Sequence, residues 1–310
     1  MTTSHTVEIP ARDATLAGTL MVPSGDGPFS AALLVAGSGP LDRDGNHKRL
    51  SLGVSLDLAE LLADAGWASL RYDKRGVGES SGDYLSTGFY DELDDAISAL
   101  EWLQSQPAVN QVVPIGHSVG ALFAAEMSAR GLTPDGAALL SYTINTGEGT
   151  LIWQAGEIGQ TVPGWIKTLM GVFGTSIEKQ QAKALTKLTS TTDDVARIQM
   201  QKINAKWMRE FIAYDPQPVL RSTETPVLAI TGSKDVQVNP ADIAAVAEIT
   251  GDRGTAVVIP DVDHILREET GPISNPKKYK QQLQKPIDPR VAEALVAWLE
   301  TVTPATSPAG

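Results

Sequence analysis

The run Gly116-His117-Ser118-Val119-Gly120 constrains this chain most, because of what lies on either side of it. Before it, Val109 to Ile115 (VNQVVPI) has the apolar content of a buried strand. After it, Ala121 to Arg130 (ALFAAEMSAR) has that of a helix. A serine on a sharp strand-to-helix turn has its hydroxyl pushed clear of the sheet, and small flanking glycines tolerate the strained backbone. G-x-S-x-G alone arises by chance in many chains, and a glycine-rich turn capping a helix is the plainer alternative. The strand before and the helix after make Ser118 the candidate nucleophile.

The rest of the pattern supports an α/β fold. VEIPARDATLAGTLMVP alternates as a hairpin would, and FSAALLVAGSG (Phe29 to Gly39) reads as a strand buried on both faces. Leu52 to Ala65 has helical spacing and stops at Gly66. WASLRYDKRGVG runs from strand into loop, Phe89 to Gln104 is helical, and Ala137 to Tyr142 is a further strand. Strands alternating with helices imply a mostly parallel sheet covered on both faces. The alternation breaks after Thr143. From about Ile144 to Leu220 only helical stretches are expected, including DDVARIQMQKINAKWMREFI, and alternation resumes at Pro226 to Thr231. The expected division is therefore a core over 1–143, a helical cap over 144–220 and the rest of the core over 221–310.

Composition excludes several classes. The net charge of −12, from 37 acidic and 25 basic residues, disfavours nucleic acid and anionic membrane as partners. With no cysteine there is no disulfide, thiolate chemistry or cysteine metal site. No run approaches the roughly 18 apolar residues of a membrane span. The N-terminal MTTSHTVEIPARD lacks the basic start and apolar core of a secretory signal, so a cytoplasmic protein is expected.

A serine hydroxyl needs a base, and the base needs a third group to hold its tautomer. Of the four histidines, His5 lies in a terminus, His47 in a polar loop, and His117 beside the serine, where packing is the expected role. His264 follows the last core strand in VIPDVDHIL, at the carboxyl end of the sheet where open α/β folds bind ligands. Asp235 in LAITGSKDVQV stands just beyond another strand and is the expected acid. An oxyanion hole would take one N–H from Val119, after the nucleophile, and one from the Ala36-Gly37-Ser38-Gly39-Pro40 loop, with Ser38 the expected donor. Gly37 and Gly39 are expected substrate neighbours. Trp165 and Leu169, in an apolar helical stretch, would form an acyl-binding wall or simply dock the cap.

These residues carry a resemblance. GSGPLDRDGNHK, LRYDKRGVGESSG, PIGHSVGA, FIAYDP and PVLAITGSKDVQV together resemble bacterial α/β-hydrolases of the serine aminopeptidase-like or lysophospholipase-like group. The resemblance implies an α/β-hydrolase core, a cap between the sixth and seventh core strands, and no cofactor or metal. It also implies the order Ser118, Asp235, His264. Related branches often carry histidine-glycine where this chain has Ala36-Gly37, and asparagine where Asp263 precedes His264. The expected activity is hydrolysis of small-molecule carboxylic esters through an acyl-enzyme. Alternatives are an aminopeptidase or amidase on the same residues, which would need a carboxylate such as Glu148, Glu157, Asp193, Asp194 or Glu210 for the substrate amine, or an inert binding protein on a hydrolase fold. Polar residues Asp42, Arg43, Asp44, His47, Arg71, Asp73 and Arg75 are expected to form an ion-pair and turn network at the sheet edge.

Overall fold

The N-terminal alternation closes into a hairpin, β1 (Thr3–Ala11) antiparallel to β2 (Ala14–Val22). Strands and helices then alternate: β3 (Phe29–Val35), α1 (Val54–Asp64), β4 (Ala68–Tyr72), α2 (Phe89–Gln104), β5 (Val109–His117), α3 (Val119–Ala129) and β6 (Ala137–Leu140). Next comes an insertion with α4 (Gly147–Gln160), α5 (Ile177–Ser190), β7 (Val195–Ile198), β8 (Gln201–Asn204), α6 (Ala205–Ala213) and α7 (Pro216–Ser222). The core resumes with β9 (Val227–Gly232), α8 (Asp242–Thr250), β10 (Gly254–Ile259), α9 (Tyr279–Gln282) and α10 (Pro289–Val302). The structure is a computed structural model, and it describes residues 2–160, 177–198, 200–275, 279–283 and 285–303. Trp165 and Leu169 lie outside the described residues.

One sheet has the order β1-β2-β4-β3-β5-β6-β9-β10, parallel from β4 to β10. The chain moves from β3 to β4 on one side and then crosses back to β5 on the other. β3 and β5 therefore flank a switch point, whose carboxyl ends open a crevice between the two following loops. Both loops carry predicted site residues: Gly37 and Ser38 after β3, Ser118 after β5.

The apolar run of β3 is explained by burial on both faces. Leu33 and Val35 pack with Phe89, Leu100 and Phe123 of α2 and α3. Leu34, one residue out of step, packs with Leu58 and Leu62 of α1 and Leu295 of α10. Each such side chain contributes about 1.5–3 kcal/mol by leaving water. Helix ends follow local chemistry. Gly66 takes φ 82 just past α1, and Asp288 caps α10 by accepting from the Arg290 N–H, with Pro289 beginning the helix.

The insertion is not wholly helical as predicted. VARIQMQKIN contributes the antiparallel pair β7–β8, and the helix begins only at Ala205, where the Asn204 side chain accepts from the Trp207 N–H. Asn204 is a strong helix start, and the β-branched residues upstream of it suit the two short strands. Among the described residues no helix is long and apolar enough to cross a membrane.

The expected polar network forms in part, and around β4, which is an interior strand rather than an edge. Arg43 grips Asp73 through two bonds, Nε to Oδ1 at 3.1 Å and Nη2 to Oδ2 at 2.7 Å. Arg71 pairs with Asp44, and Arg75 with Asp95. Burial alone would raise the Asp73 carboxyl, but Arg43 and the N–H groups of Glu79 and Arg43 hold it below its ordinary range. The first pair fastens the loop after β3 to the loop after β4, the second ties the loop after β3 to β4 itself, and the third ties the loop after β4 to α2.

Candidate active site

Ser118 occupies a backbone conformation that a side chain rarely adopts, φ 56 and ψ −120. Such strain costs on the order of 1–3 kcal/mol and persists only where neighbours hold it. Three features hold it here. The Ser118 N–H donates to the Leu140 carbonyl at 2.8 Å. A Cβ on Gly116 would sit 2.1 Å from the Gly120 oxygen, and one on Gly120 would sit 2.0 Å from the Val35 oxygen. Both positions therefore exclude any side chain, and their closeness lets α3 start directly against the end of β3.

Asp235 and His264 come together as expected. The His264 Nδ1 lies 2.8 Å from Asp235 Oδ2 and 3.0 Å from Oδ1. A carboxylate only accepts, so Nδ1 carries the proton and Nε2 is left with its lone pair. Asp235 also accepts from the N–H groups of Gln237 and Val238 at 2.8 and 3.0 Å. Burial pushes the Asp235 carboxyl up, but His264 and those two N–H groups outweigh it and hold it below the ordinary value. Gly232 makes the meeting possible. A Cβ there would lie 2.0 Å from the Val262 oxygen, so only glycine lets the loop after β10 cross so close to the end of β9.

Ser118 and His264 line one small cavity of about 90 Å³ together with Gly37, Ser38, His117 and Gln237. Their side chains make no hydrogen bond to each other; such contacts are commonly long until substrate is bound. A second cavity, about 450 Å³, shares Ser38, Ser118 and Gln237 with the first, so both border the serine. Gly39 and Val119 line the larger one, whereas Gly37 borders only the smaller. At the first position of α3 the Val119 N–H has no intrahelical acceptor.

The wall of the larger cavity was not anticipated. Leu122 of α3, Leu151 of α4, Ile203 of β8 and Trp207, Met208 and Phe211 of α6 supply its apolar surface. Trp207 and Phe211 are one helical turn apart after the Asn204 cap, a spacing that could have pointed to them. His117 was expected to pack; its Nε2 instead lies 2.8 Å from the His264 carbonyl oxygen. A carbonyl only accepts, so the imidazole donates. Among the described residues no group of three or more potential ligands could hold a metal ion.

The switch-point serine, the bonded Asp235 and His264 at neighbouring strand ends and the eight-stranded, mostly parallel sheet define the chain as an α/β hydrolase. Residues 51–271 match the family described as serine aminopeptidase, S33, and the chain belongs to that family. It is 26% identical over 289 residues to esterase EstD of Thermotoga maritima; the match takes in 92% of this chain, which spans 65% of that relative's length. Among solved structures it resembles Est1E of Butyrivibrio proteoclasticus with ferulic acid bound, at TM-score 0.64 and 17% identity over 95% of this chain and 98% of the other. It likewise resembles a proline iminopeptidase of Mycobacterium smegmatis, at TM-score 0.63 and 13% identity over 96% and 98%.

Proposed function

We propose that the protein is a serine esterase that hydrolyses small or medium acyl esters through Ser118, His264 and Asp235. The observation that carries this reading is the buried His264–Asp235 pair, with His264 lining the same cavity as the strained serine. His264 takes the Ser118 proton as Oγ attacks the ester carbonyl. The resulting oxyanion accepts from the N–H groups of Ser38 and Val119, the latter at the positive end of α3. Collapse expels the alcohol, which leaves with the proton from His264. Water then attacks the acyl-enzyme with the same base, and the carboxylic acid departs from Ser118.

Ester rather than aminopeptide substrates are favoured by the cavity wall. An aminopeptidase must hold a substrate ammonium, but none of the described residues lining the cavity is acidic, and Lys202 places a cation there instead. Glu148, Glu157, Asp193, Asp194 and Glu210 all lie off this wall. The likeness to EstD supports the same preference. About 450 Å³ falls in the lower half of the roughly 300–1,000 Å³ typical of ligand pockets, which suits a small or medium acyl group. Segment 144–220 is proposed to act as a cap, with α6 and β8 closing the cavity over the serine.

The test is a chain-length series of p-nitrophenyl esters beside a proline naphthylamide. Turnover should peak at short to medium acyl chains and be far weaker on the amide. Ser118→Ala should lose several orders of magnitude in kcat, and parental activity in that variant would refute the reading.

A further inference from the structure

Behind the loop that follows β3 lies a buried ion pair. Lys74, just after β4, and Glu92, in the first turn of α2, are joined by Nζ–Oε2 at 2.9 Å, with side chains 6% and 4% exposed. The same Nζ donates to the carbonyl oxygen of Gly37 at 2.6 Å. Sequestering an ammonium and a carboxylate from water costs several kcal/mol per ion, and apolar residues of similar size often serve stability as well or better. A pair retained here, with the ammonium aimed at one backbone carbonyl, does something that apolar packing would not.

The geometry of that carbonyl shows what. The only cis peptide among the described residues is Gly27–Pro28, so the Gly37–Ser38 peptide is trans. A planar trans peptide points its C=O and N–H in opposite directions. With the Gly37 oxygen drawn back toward Lys74, the Ser38 N–H faces away from it. Gly37 also runs close beside the nucleophile: a Cβ on it would lie 3.2 Å from the Ser118 Cβ. Ser38 itself borders both cavities that meet at Ser118.

We infer that Lys74, backed by Glu92, is a positioning residue for the oxyanion hole: by holding the Gly37 carbonyl it turns the Ser38 N–H toward the tetrahedral intermediate. The ammonium also polarises the peptide it binds, which strengthens the N–H at the other end as a donor. Lys74 touches neither substrate nor nucleophile; it acts through one peptide plane. The inference rests on the serine-esterase reading above.

The experiment replaces both charges together, Lys74→Met with Glu92→Leu, so that neither ion is left buried alone. Thermal melting checks the fold. Steady-state kinetics on p-nitrophenyl butyrate and inhibition by an alkyl trifluoromethyl ketone then report on the hole, since the ketone forms a hemiketal oxyanion on the serine. Loss of one oxyanion donor costs about 10²–10³ in kcat, and misorientation should cost about 10–100-fold. KM should stay within about threefold, and the ketone Ki should rise in parallel with the loss in kcat. Lys74→Gln with Glu92→Gln keeps a donor without leaving a charge buried alone, so it should recover part of the loss; Lys74→Leu with Glu92→Gln removes the donor and decides the matter if the first double variant does not fold. Parental kcat and ketone Ki in a folded variant that lacks the donor would overturn the inference. Ser118→Ala is assayed alongside: if it is inactive while the Lys74 variants match the parent, this inference alone falls, and if it is active, the esterase reading falls.

Discussion

The imidazole of His117 donates from Nε2 to the backbone carbonyl of His264, across 2.8 Å, with the two rings 5.0 Å apart at their centres. The residue just before Ser118 thereby braces the loop that carries His264. Burial drives the His117 pKa down to about 4, and the nearby charge of His264 adds to the fall. His117 therefore stays neutral at ordinary pH and, in the proposed mechanism, sets no second cation against the imidazolium of His264. His117→Ala should lower kcat by about tenfold or more with little change in KM, since small misplacements of a catalytic group can cost up to about 10²-fold. Steady-state kinetics checks this; an unchanged kcat would show that the bond is only packing.

The same residue shapes acid stability. His117 takes up a proton near 6.5 when unfolded but near 4 when folded. Its contribution is complete above 6.5 and is lost as pH falls toward 4. His117→Asn should show a shallower decline of Tm across that window than the parent, measured by calorimetry. An equally steep decline would mean that the buried imidazole takes up its proton without cost.

Asp235 holds the proton of His264 on Nδ1, so Asp235→Asn should let the imidazole settle in the wrong tautomer. The expected loss in kcat is about 10³–10⁴-fold, the scale seen when the acid of such a triad is made neutral. Burst kinetics would place the defect in acylation, and labelling by a fluorophosphonate should slow in parallel. A variant that labels at the parental rate would put the orienting role elsewhere.

What could be read from the chain beforehand follows a physical line. The gathering of Ser118, Asp235 and His264 at one rim was legible because each terminates or closely follows an apolar run, and in parallel sheets such ends come together. Contacts that link distant segments without a local pattern were not legible. Nothing in DKRG or FYDEL pairs Lys74 with Glu92, and the bond from His117 to His264 spans 147 positions. The β7–β8 hairpin was read as helix because its charged, amide-rich stretch leads straight into one, and only Asn204 marks the border. Trp207 and Phe211 were passed over because an amphipathic helix does not reveal which cavity its apolar face will meet.

Gly120 tests how tightly the elbow is built. Its added methyl would enter the Val35 carbonyl at 2.0 Å, and the obstruction is backbone, which has no rotamer to move aside. Gly120→Ala should destabilise the fold by about 3 kcal/mol or more, beyond ordinary overpacking. The variant should be largely insoluble or melt far below the parent; a soluble, fully active Gly120→Ala enzyme would disprove the close approach of α3 to β3.

Asp263 offers the opposite sign. Its Oδ1 accepts from the N–H groups of Ile265 and Arg267, but its Oδ2 is buried without a hydrogen-bond partner. Burial is the main cause that pushes this carboxyl up to about 6, and Asp235 nearby adds to the rise. A folded value above the unfolded one means that Asp263 contributes fully below pH about 4 and that the contribution is lost as pH rises through about 6. Above that, the protein carries a carboxylate whose burial the two N–H bonds to Oδ1 and the nearby His264 only partly offset. Asp263→Asn keeps the Oδ1 acceptor and removes the charge, so it should stabilise the protein at pH 8 by on the order of 2 kcal/mol, several degrees in Tm. At pH 4 the two proteins should melt together, because the parent carboxyl is then neutral too. Titration of His117 is common to both and cancels in the difference. A melting difference that is absent at pH 8, or equally large at pH 4, would mean that the Asp263 carboxylate is solvated or paired after all.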